Sequence, residues 1–316
     1  MSIEVIKSGA LTTLQDLGRT GFQQYGVPVN GIMDERAHRI ANALVGNPRS
    51  YATLEITLMG PTLRFQADAV IAITGGDLDA KLDGEPCLLS QPVSVKAGSE
   101  LAFGKRRAGV RAYLAVRGGF VATPVMHSVS LFARGGYGGF SGRPLAKGDV
   151  IAIGEPRVEA GAAQRTPRRL RSFDGAVQQG ANALIRVTAG REWRFFSEDA
   201  RRAFQETEFK LTPQSDRMGF RIEGATLALT EPRQMDSEAV AFGTIQVPPD
   251  GNPIVLMADR QTTGGYPKIA QVCAVDLPRL AQKMPGEVIR FSVIDLDTAQ
   301  RLLLSQEDTF AAMEVS

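Results

Sequence analysis

Residues 244–270, TIQVPPDGNPIVLMADRQTTGGYPKIA, decide the architecture. Two short apolar runs flank the segment Pro-Asp-Gly-Asn-Pro at 249–253. Asp250 and Gly251 suit a tight turn and Pro253 fixes the path of the returning chain, so 243–247 and 254–259 are expected to pair as antiparallel strands. The second strand then delivers Asp259, Arg260, Gln261, Thr262 and Thr263 into a loop hinged on two glycines, followed by Tyr266 and Lys268. Both charge signs, an amide and two hydroxyls make a poor core. On a rigid support they make a polar pocket, because loops positioned by a scaffold carry function without weakening it.

The same grammar of short apolar runs cut by turn residues recurs at 69–74, 110–116, 150–153, 184–188 and 287–294. Strands at this spacing point to barrels or sandwiches rather than a βαβ sheet, so the expected class is mainly β with a few helices. A helix is expected over 35–45, where Ala37, Ile40, Ala41, Leu44 and Val45 form one stripe, with Asp34 as cap and Gly46 as terminator. Two more are expected over 198–206, capped by Ser197, and 298–305, where Asp297 and Gln300 have capping-box spacing. His38 sits at the edge of the first stripe and reads as a half-buried surface histidine.

At 316 residues the chain exceeds what one core usually serves. Residues 155–183 lack a sustained apolar period and carry Arg165, Arg168, Arg169 and Arg171 among Ala, Gln, Gly and Pro. That reads as a linker with a solvated basic face, between an N-terminal domain at 1–154 and a C-terminal domain with a terminal helix at 184–316. A net charge of +2 gives no bulk electrostatic case for nucleic acid or an anionic membrane. No apolar run spans a bilayer, and MSIEVIKSGA lacks the pattern of a secretory signal. Cys87 and Cys273 have no CxxC spacing, which suits free thiols in a reducing cytoplasm. With His38 and His127 the only histidines, no His-rich metal site is expected.

An internal repeat organises the rest. RTGFQQYG at 19–26 matches RMGFRIEG at 217–224 as R-x-G-F-x-x-x-G. In the same order, Ile71-Ala72-Ile73 falls on Ile254-Val255-Leu256, and Ala97-Gly98 with Leu101 and Phe103 on Pro285-Gly286 with Ile289 and Phe291. The shared order reads as a degenerate tandem duplication of one β-rich unit.

The hairpin brings Gln246 toward Asp259, and Glu238, Asp259 and Lys268 offer two carboxylates and an amine to one cavity. A desolvated Lys268 acts as acid or base; paired with Asp259 it is a fixed electrostatic element. Alternatively Asp259 and Arg260 cap the loop and pair locally. In the first copy Gln15, Asp16 and Arg19 precede the repeat glycine, and Gly75-Gly76-Asp77 follows a strand. The glycine-rich segment 128–143, SVSLFARGGYGGFSGR, either lets backbone N–H groups approach an anion or is a flexible surface loop. It lacks the GxxxxGK[ST] pattern of a nucleotide P-loop.

The strings 17–47 (LGRTGFQQYGVPVNGIMDERAHRIANALVGN), 109–120 (GVRAYLAVRGGF), 215–224 (SDRMGFRIEG) and 244–270 resemble one known family. It contains the C-type subunit of 5-oxoprolinase, the antagonist of a sporulation-kinase inhibitor, and the second, biotin-dependent-carboxyltransferase-like subunit of allophanate hydrolase and urea carboxylase systems. The resemblance implies tandem cyclophilin-like β-barrel domains in a cytoplasmic hetero-oligomer. Its partners would be a related-fold, B-type subunit of 5-oxoprolinase and a barrel-type, A-type subunit, with ATP shared in the assembly. The implied activity is that of a hydrolase subunit opening a small cyclic amide, 5-oxoproline, to glutamate. Alternatives in the same frame are carboxyl transfer from biotin to urea, or a non-catalytic regulatory protein that binds its partner subunit. On the enzymatic reading Asp259 and Lys268 are the catalytic candidates. Gln246, Arg260, Gln261, Thr262, Thr263, Tyr266, Ser128 and Ser130 are the substrate-binding ones. Where the family shows G-S-R-S-T, this chain has His127-Ser128-Val129-Ser130-Leu131, and Val129 cannot supply the bidentate contact of an arginine.

Overall fold

Along the strand Ala69–Asp77, alternate side chains serve two different cores. Ile71 and Ile73 enter one buried cluster, while Val70 and Ala72 face another. The neighbouring strand Ala108–Val116 repeats the division, with Ala112, Leu114 and Val116 on one side and Tyr113 and Ala115 on the other. The register Leu114↔Ile73 and Ala115↔Ala72 aligns the two faces, as a period of two requires. The helix Glu35–Leu44 lies on the face lined by Ala72 and Ala115, small residues that let its own Ala37, Ile40, Ala41 and Leu44 close in. Phe310 and Met313 join this second cluster.

In the computed structural model, which describes residues 1–156 and 184–314, the chain divides into two compact units. Among the described residues, the first comprises 1–19, 30–156 and 309–314, the second 20–29 and 184–308. Of the segment read as a linker, residues 157–183, including Arg165, Arg168, Arg169 and Arg171, lie outside the described residues.

In the first unit a five-stranded antiparallel sheet runs Leu11–Gln15, Thr53–Thr57, Ala108–Val116, Ala69–Asp77, Pro92–Val95. A six-stranded sheet runs Val150–Ala152, Ser2–Lys7, Thr62–Phe65, Glu100–Ala102, Lys81–Leu82, Glu85–Pro86. In the second unit seven strands close a barrel: Leu184–Ala189, Lys268–Val272, Thr244–Gln246, Ile254–Leu256, Gly219–Glu223, Phe209–Leu211, Val288–Val293. Only the closing pair, Leu184–Ala189 with Val288–Val293, is parallel. The helix Glu198–Glu206 packs Phe204 flat on Phe291, with ring centroids 4.6 Å apart. The expected mainly β class with few helices therefore holds. No helix of the described residues is long and apolar enough to cross a membrane.

The expected hairpin forms, with Ile245 opposite Val255 and Gln246 opposite Ile254. Asp250 Oδ1 accepts from Asn252 N at 3.0 Å, and Gly251 supplies the left-handed φ of +78°. Two capped helices start where the sequence places them: Asp34 accepts from Ala37 N, and Ser197 from Ala200 N. The last helix is longer than 298–305. It runs Leu296–Glu314, and its first turn is held by Asp295, which accepts from Thr298 N at 2.7 Å, so Asp297 is not the cap. The two R-x-G-F strings also fold differently: Gly219–Glu223 is a barrel strand, whereas Gln23–Tyr25 is a 3-10 turn. Arg221 and Ile222 continue the strand alternation, while the Gln-Gln-Tyr-Gly that follows Phe22 ends in Gly26 at a φ of +77° and breaks it.

His38 is fully buried rather than half-buried. Its Nε2 donates to Arg49 O at 2.9 Å, which leaves Nδ1 to accept from the Thr53 hydroxyl at 2.9 Å in the neutral ring. Burial, the largest influence, lowers its pKa from 6.5 to about 4. The unfolded chain therefore takes up a proton that the folded one refuses. The stabilisation from the neutral ring is complete above pH 6.5 and is lost as pH falls toward about 4, a change of about 3 kcal/mol. Urea unfolding of wild type and His38→Gln across this window should give curves that converge on acidification. The His38 ring should keep the NMR shifts of a neutral imidazole at about pH 5.5; a ring that protonates with a pKa near 6.5 would contradict the assignment.

Candidate functional site

The strand pairing Gly219↔Leu256 brings the residues just beyond it face to face. Asp259 N donates to Arg217 O at 2.8 Å, and the Arg217 guanidinium returns two bonds, Nε to Oδ2 at 3.0 Å and Nη2 to Oδ1 at 2.9 Å. Both side chains are about nine-tenths buried, so this bidentate pair is strong and rigid. Asp259 is thus committed to Arg217 rather than to Lys268.

Lys268 has other company. Its strand meets Thr244–Gln246 with a register shift that leaves Lys268 opposite Gln246. Lys268 Nζ donates to Glu238 Oε2 at 3.2 Å and lies 3.9 Å from Glu192 Oε2, and Lys268 N donates to the same Glu192 oxygen at 3.0 Å. Glu192 is buried; Glu238 is more open and also receives Arg191 Nη1 at 2.9 and 3.0 Å. The hydrogen bond from Lys268 and the charge of Arg191 hold the Glu238 carboxyl below the usual carboxylate range.

Two amides adjoin this group. Buried Gln246 accepts from Gln261 Nε2 and donates to Tyr266 O, each at 3.4 Å. A side chain at Gly264 would begin 2.5 Å from Gln246 Nε2, so glycine is what lets the amide lie there. A two-stranded ribbon, Glu238–Ala239 with Thr263–Gly264, borders the group, and Val240 N extends it by donating to Thr262 O at 3.1 Å. Thr263 and the Tyr266 ring are exposed and Thr262 is half-buried. Arg260 is buried, and its Nε donates to Val240 O at 3.3 Å. Lys268, Gln246, Gln261 and the Tyr266 carbonyl therefore converge, while Asp259 stands apart with Arg217. An ammonium framed by two carboxylates beside two carboxamides offers donors and acceptors matched to a planar amide or ureido group. Glu192, Arg191 and Arg217 complete the arrangement and were not among the sequence candidates; of these only Arg217 carried a signal, as the arginine of R-x-G-F.

Ser128 and Ser130 belong to the first unit and are spent on Asp16. Asp16 Oδ1 accepts from Ser128 Oγ at 2.6 Å, Ser130 Oγ at 2.7 Å and Gly18 N at 2.9 Å, and Oδ2 from Val129 N at 2.8 Å. These bonds clasp two distant segments and leave the hydroxyls little to offer a substrate. The glycine-rich segment is closed on itself rather than flexible. Gly135, Gly136, Gly139 and Gly142 donate to Phe132, Ala133, Val129 and Gly138 carbonyls, so these N–H groups do not cradle a phosphate. A Cβ at Gly138 would collide with the Ser130 carbonyl, which explains glycine at that left-handed position.

The chain is similar to known proteins along most of its length. A protein family described as "Carboxyltransferase domain, subdomain A and B" matches residues 25–293. The chain is 37% identical over 305 residues to the C-type subunit of 5-oxoprolinase from Haemophilus influenzae, covering 96% of this chain and 95% of that protein. It is 38% identical over 308 residues to the C-type subunit of 5-oxoprolinase from Escherichia coli, covering 98% and 96%. The solved structure of K. lactis urea amidolyase superposes with a TM-score of 0.91 at 30% identity, covering 99% of this chain but 20% of that one. With most of its length matched in sequence and in fold, this chain belongs to the family of carboxyltransferase domains, subdomains A and B.

Proposed function

We propose that this chain is one subunit of an ATP-dependent 5-oxoprolinase that opens 5-oxoproline to glutamate together with partner subunits. The observation that carries this reading is length. Its matches to the C-type subunits of 5-oxoprolinase run nearly end to end in both proteins, whereas its match to the urea amidolyase of Lachancea kluyveri spans 18% of that enzyme. The partners are a related-fold subunit and a barrel-type subunit in a cytoplasmic assembly. The chain's two domains carry the cyclophilin-like design.

In this reading the lactam lies against Gln246 and Gln261, and Lys268 Nζ donates to the oxygen where negative charge develops. ATP supplies the driving force by phosphorylating that oxygen. One water then adds to the carbon and the ring C–N bond breaks, the nitrogen taking a proton and leaving an acyl phosphate, which a second water cleaves to the carboxylate and free phosphate. Glu192 and Glu238 hold Lys268 in place, which fixes the donor before the substrate arrives. Asp259 acts at one remove, by keeping the 259–268 loop tied to Arg217. With the N–H groups of the glycine-rich segment mostly engaged, the ATP phosphates fall to the partner subunits.

A second reading, carboxyl transfer from biotin carried on another protein, draws on the family description and on the urea amidolyase superposition. A ureido ring presents the same planar donor–acceptor edge as a lactam. The altered stretch at 127–131 draws a third reading, a regulatory subunit without chemistry.

Reconstituted with its partners, the chain should support ATP-dependent glutamate release from 5-oxoproline. An assembled complex yielding carboxylated urea points to the second reading, and one yielding no product to the third. Lys268→Met should lower turnover by about 100-fold or more, the scale of losing a fixed donor, while the complex still assembles; full activity in that variant would remove Lys268 from the site. Asp259→Asn should cost about 3 kcal/mol in urea unfolding of the isolated chain, because it deprives the buried Arg217 of its carboxylate.

A further inference from the structure

Among the described residues, the interior charges of the second unit are paired with charges of opposite sign, with one exception. Arg217 has Asp259, Asp276 has Arg186 at 2.7 Å, buried Lys283 has Glu287 at 3.8 Å, and Lys268 has Glu238. Arg260 is 8% exposed, and among the described residues no carboxylate lies within ion-pair distance of it. Its hydrogen bond runs from Nε to Val240 O. The Phe242 ring, centred 6.0 Å from Cζ, offsets little of the charge. Burial alone pulls the guanidinium below its usual range, with no neighbouring charge opposing it. Holding a cation largely out of water without a counter-ion is unfavourable, so the fold carries a penalty that an incoming anion would reduce.

The geometry points to Arg260 as the seat of a small-molecule carboxylate, and on the 5-oxoprolinase reading, on which the choice of ligand rests, to recognition of the 5-oxoproline carboxylate. Because Nε is engaged with Val240 O, the two terminal nitrogens remain as an end-on fork, which a planar carboxylate fills with two parallel bonds. A single guanidinium matches one negative charge, not a phosphate dianion. Placement also fits. Val240, which anchors Arg260, is two residues along from Glu238, which anchors Lys268, a separation of roughly 7 Å of extended chain. A small ligand gripped by its carboxylate at one end can present its amide at the other.

Calorimetric titration and thermal unfolding of the full chain test this, with 5-oxoproline, its carboxamide, acetate and inorganic phosphate as probes against wild type, Arg260→Lys and Arg260→Gln. The expected result is that 5-oxoproline binds wild type about 10-fold or more tightly than the carboxamide, the scale of a hydrogen-bonded charge. Arg260→Lys should weaken binding by a similar factor, and Arg260→Gln should erase the difference between acid and amide. Ligand-free Arg260→Gln should unfold at a midpoint no lower than wild type, since it removes an uncompensated charge; a clear drop would mark the arginine as structural and overturn the proposal. Equal binding of acid and amide, unchanged affinity in Arg260→Gln, Arg260-dependent binding of phosphate alone, or no binding of any carboxylate would overturn it too. If acetate stabilises the wild type but not Arg260→Gln while 5-oxoproline does neither, the carboxylate site stands and the 5-oxoprolinase reading falls.

Discussion

The second unit depends on the bidentate contact between Arg217 and Asp259. It joins a residue ahead of one barrel strand to a residue beyond its neighbour, where regular strand pairing gives way to the last backbone bonds between the two segments. A loop leaving a barrel rim has no sheet to hold it and would fray. Here two charge-assisted bonds and the backbone bond from Asp259 N to Arg217 O fix its origin. Everything from Arg260 to Lys268 then starts from a set position.

The same pairing decides which carboxylates Lys268 meets. An aspartate taken up by arginine cannot also balance the lysine, so the balance comes from Glu192 and Glu238, which arrive from outside the hairpin. The register shift at Gln246 and Lys268 is part of this arrangement. An irregularity in a barrel strand re-aims side chains that a regular ladder would send to alternating faces. Gln246 and Lys268 thereby sit opposite one another, and Gly264 leaves room for the amide. The first unit uses charge differently. Asp16, with four donors from the protein, is a clasp between segments more than a hundred residues apart, and Ser128 and Ser130 are explained by that duty.

What the sequence made legible follows from the range of the forces involved. The hairpin at 249–253, the Ser197 and Asp34 caps and the apolar run at 69–74 are local, written within a few residues, and each could be read directly. The last helix shows the limit of local reading. Asp295 and Asp297 each have a residue at capping distance three positions on, Thr298 and Gln300, and only geometry selects Asp295. Glu192 was invisible because its partners lie 76 residues on, in a strand whose approach depends on barrel closure. His38 read as half-buried because its stripe describes one helix face. Its actual burial comes from Thr53 and Arg49, outside the helix. The R-x-G-F repeat was real as a pattern of letters and misleading as a pattern of structure, since a barrel strand and a 3-10 turn occupy its two copies.

Buried ionisable groups divide here by how their charge is resolved. His38 resolves it by staying neutral, at the expense of acid stability. Arg217 and Lys268 resolve it by pairing with carboxylates, the first to tie down the loop and the second to hold its ammonium in place. Arg260 does neither: an arginine does not give up its proton at any ordinary pH, and the fold brings it no carboxylate among the described residues. A folded chain gains nothing from such a residue when empty. The charge is tolerable because the paired groups around it, above all Arg217 with Asp259 on the residue next to it in sequence, hold the backbone against the local penalty. The shorter ion pair of the loop, Arg217 with Asp259, and the cation beside it without a carboxylate are thus one device, in which the rigidity of the first makes room for the second.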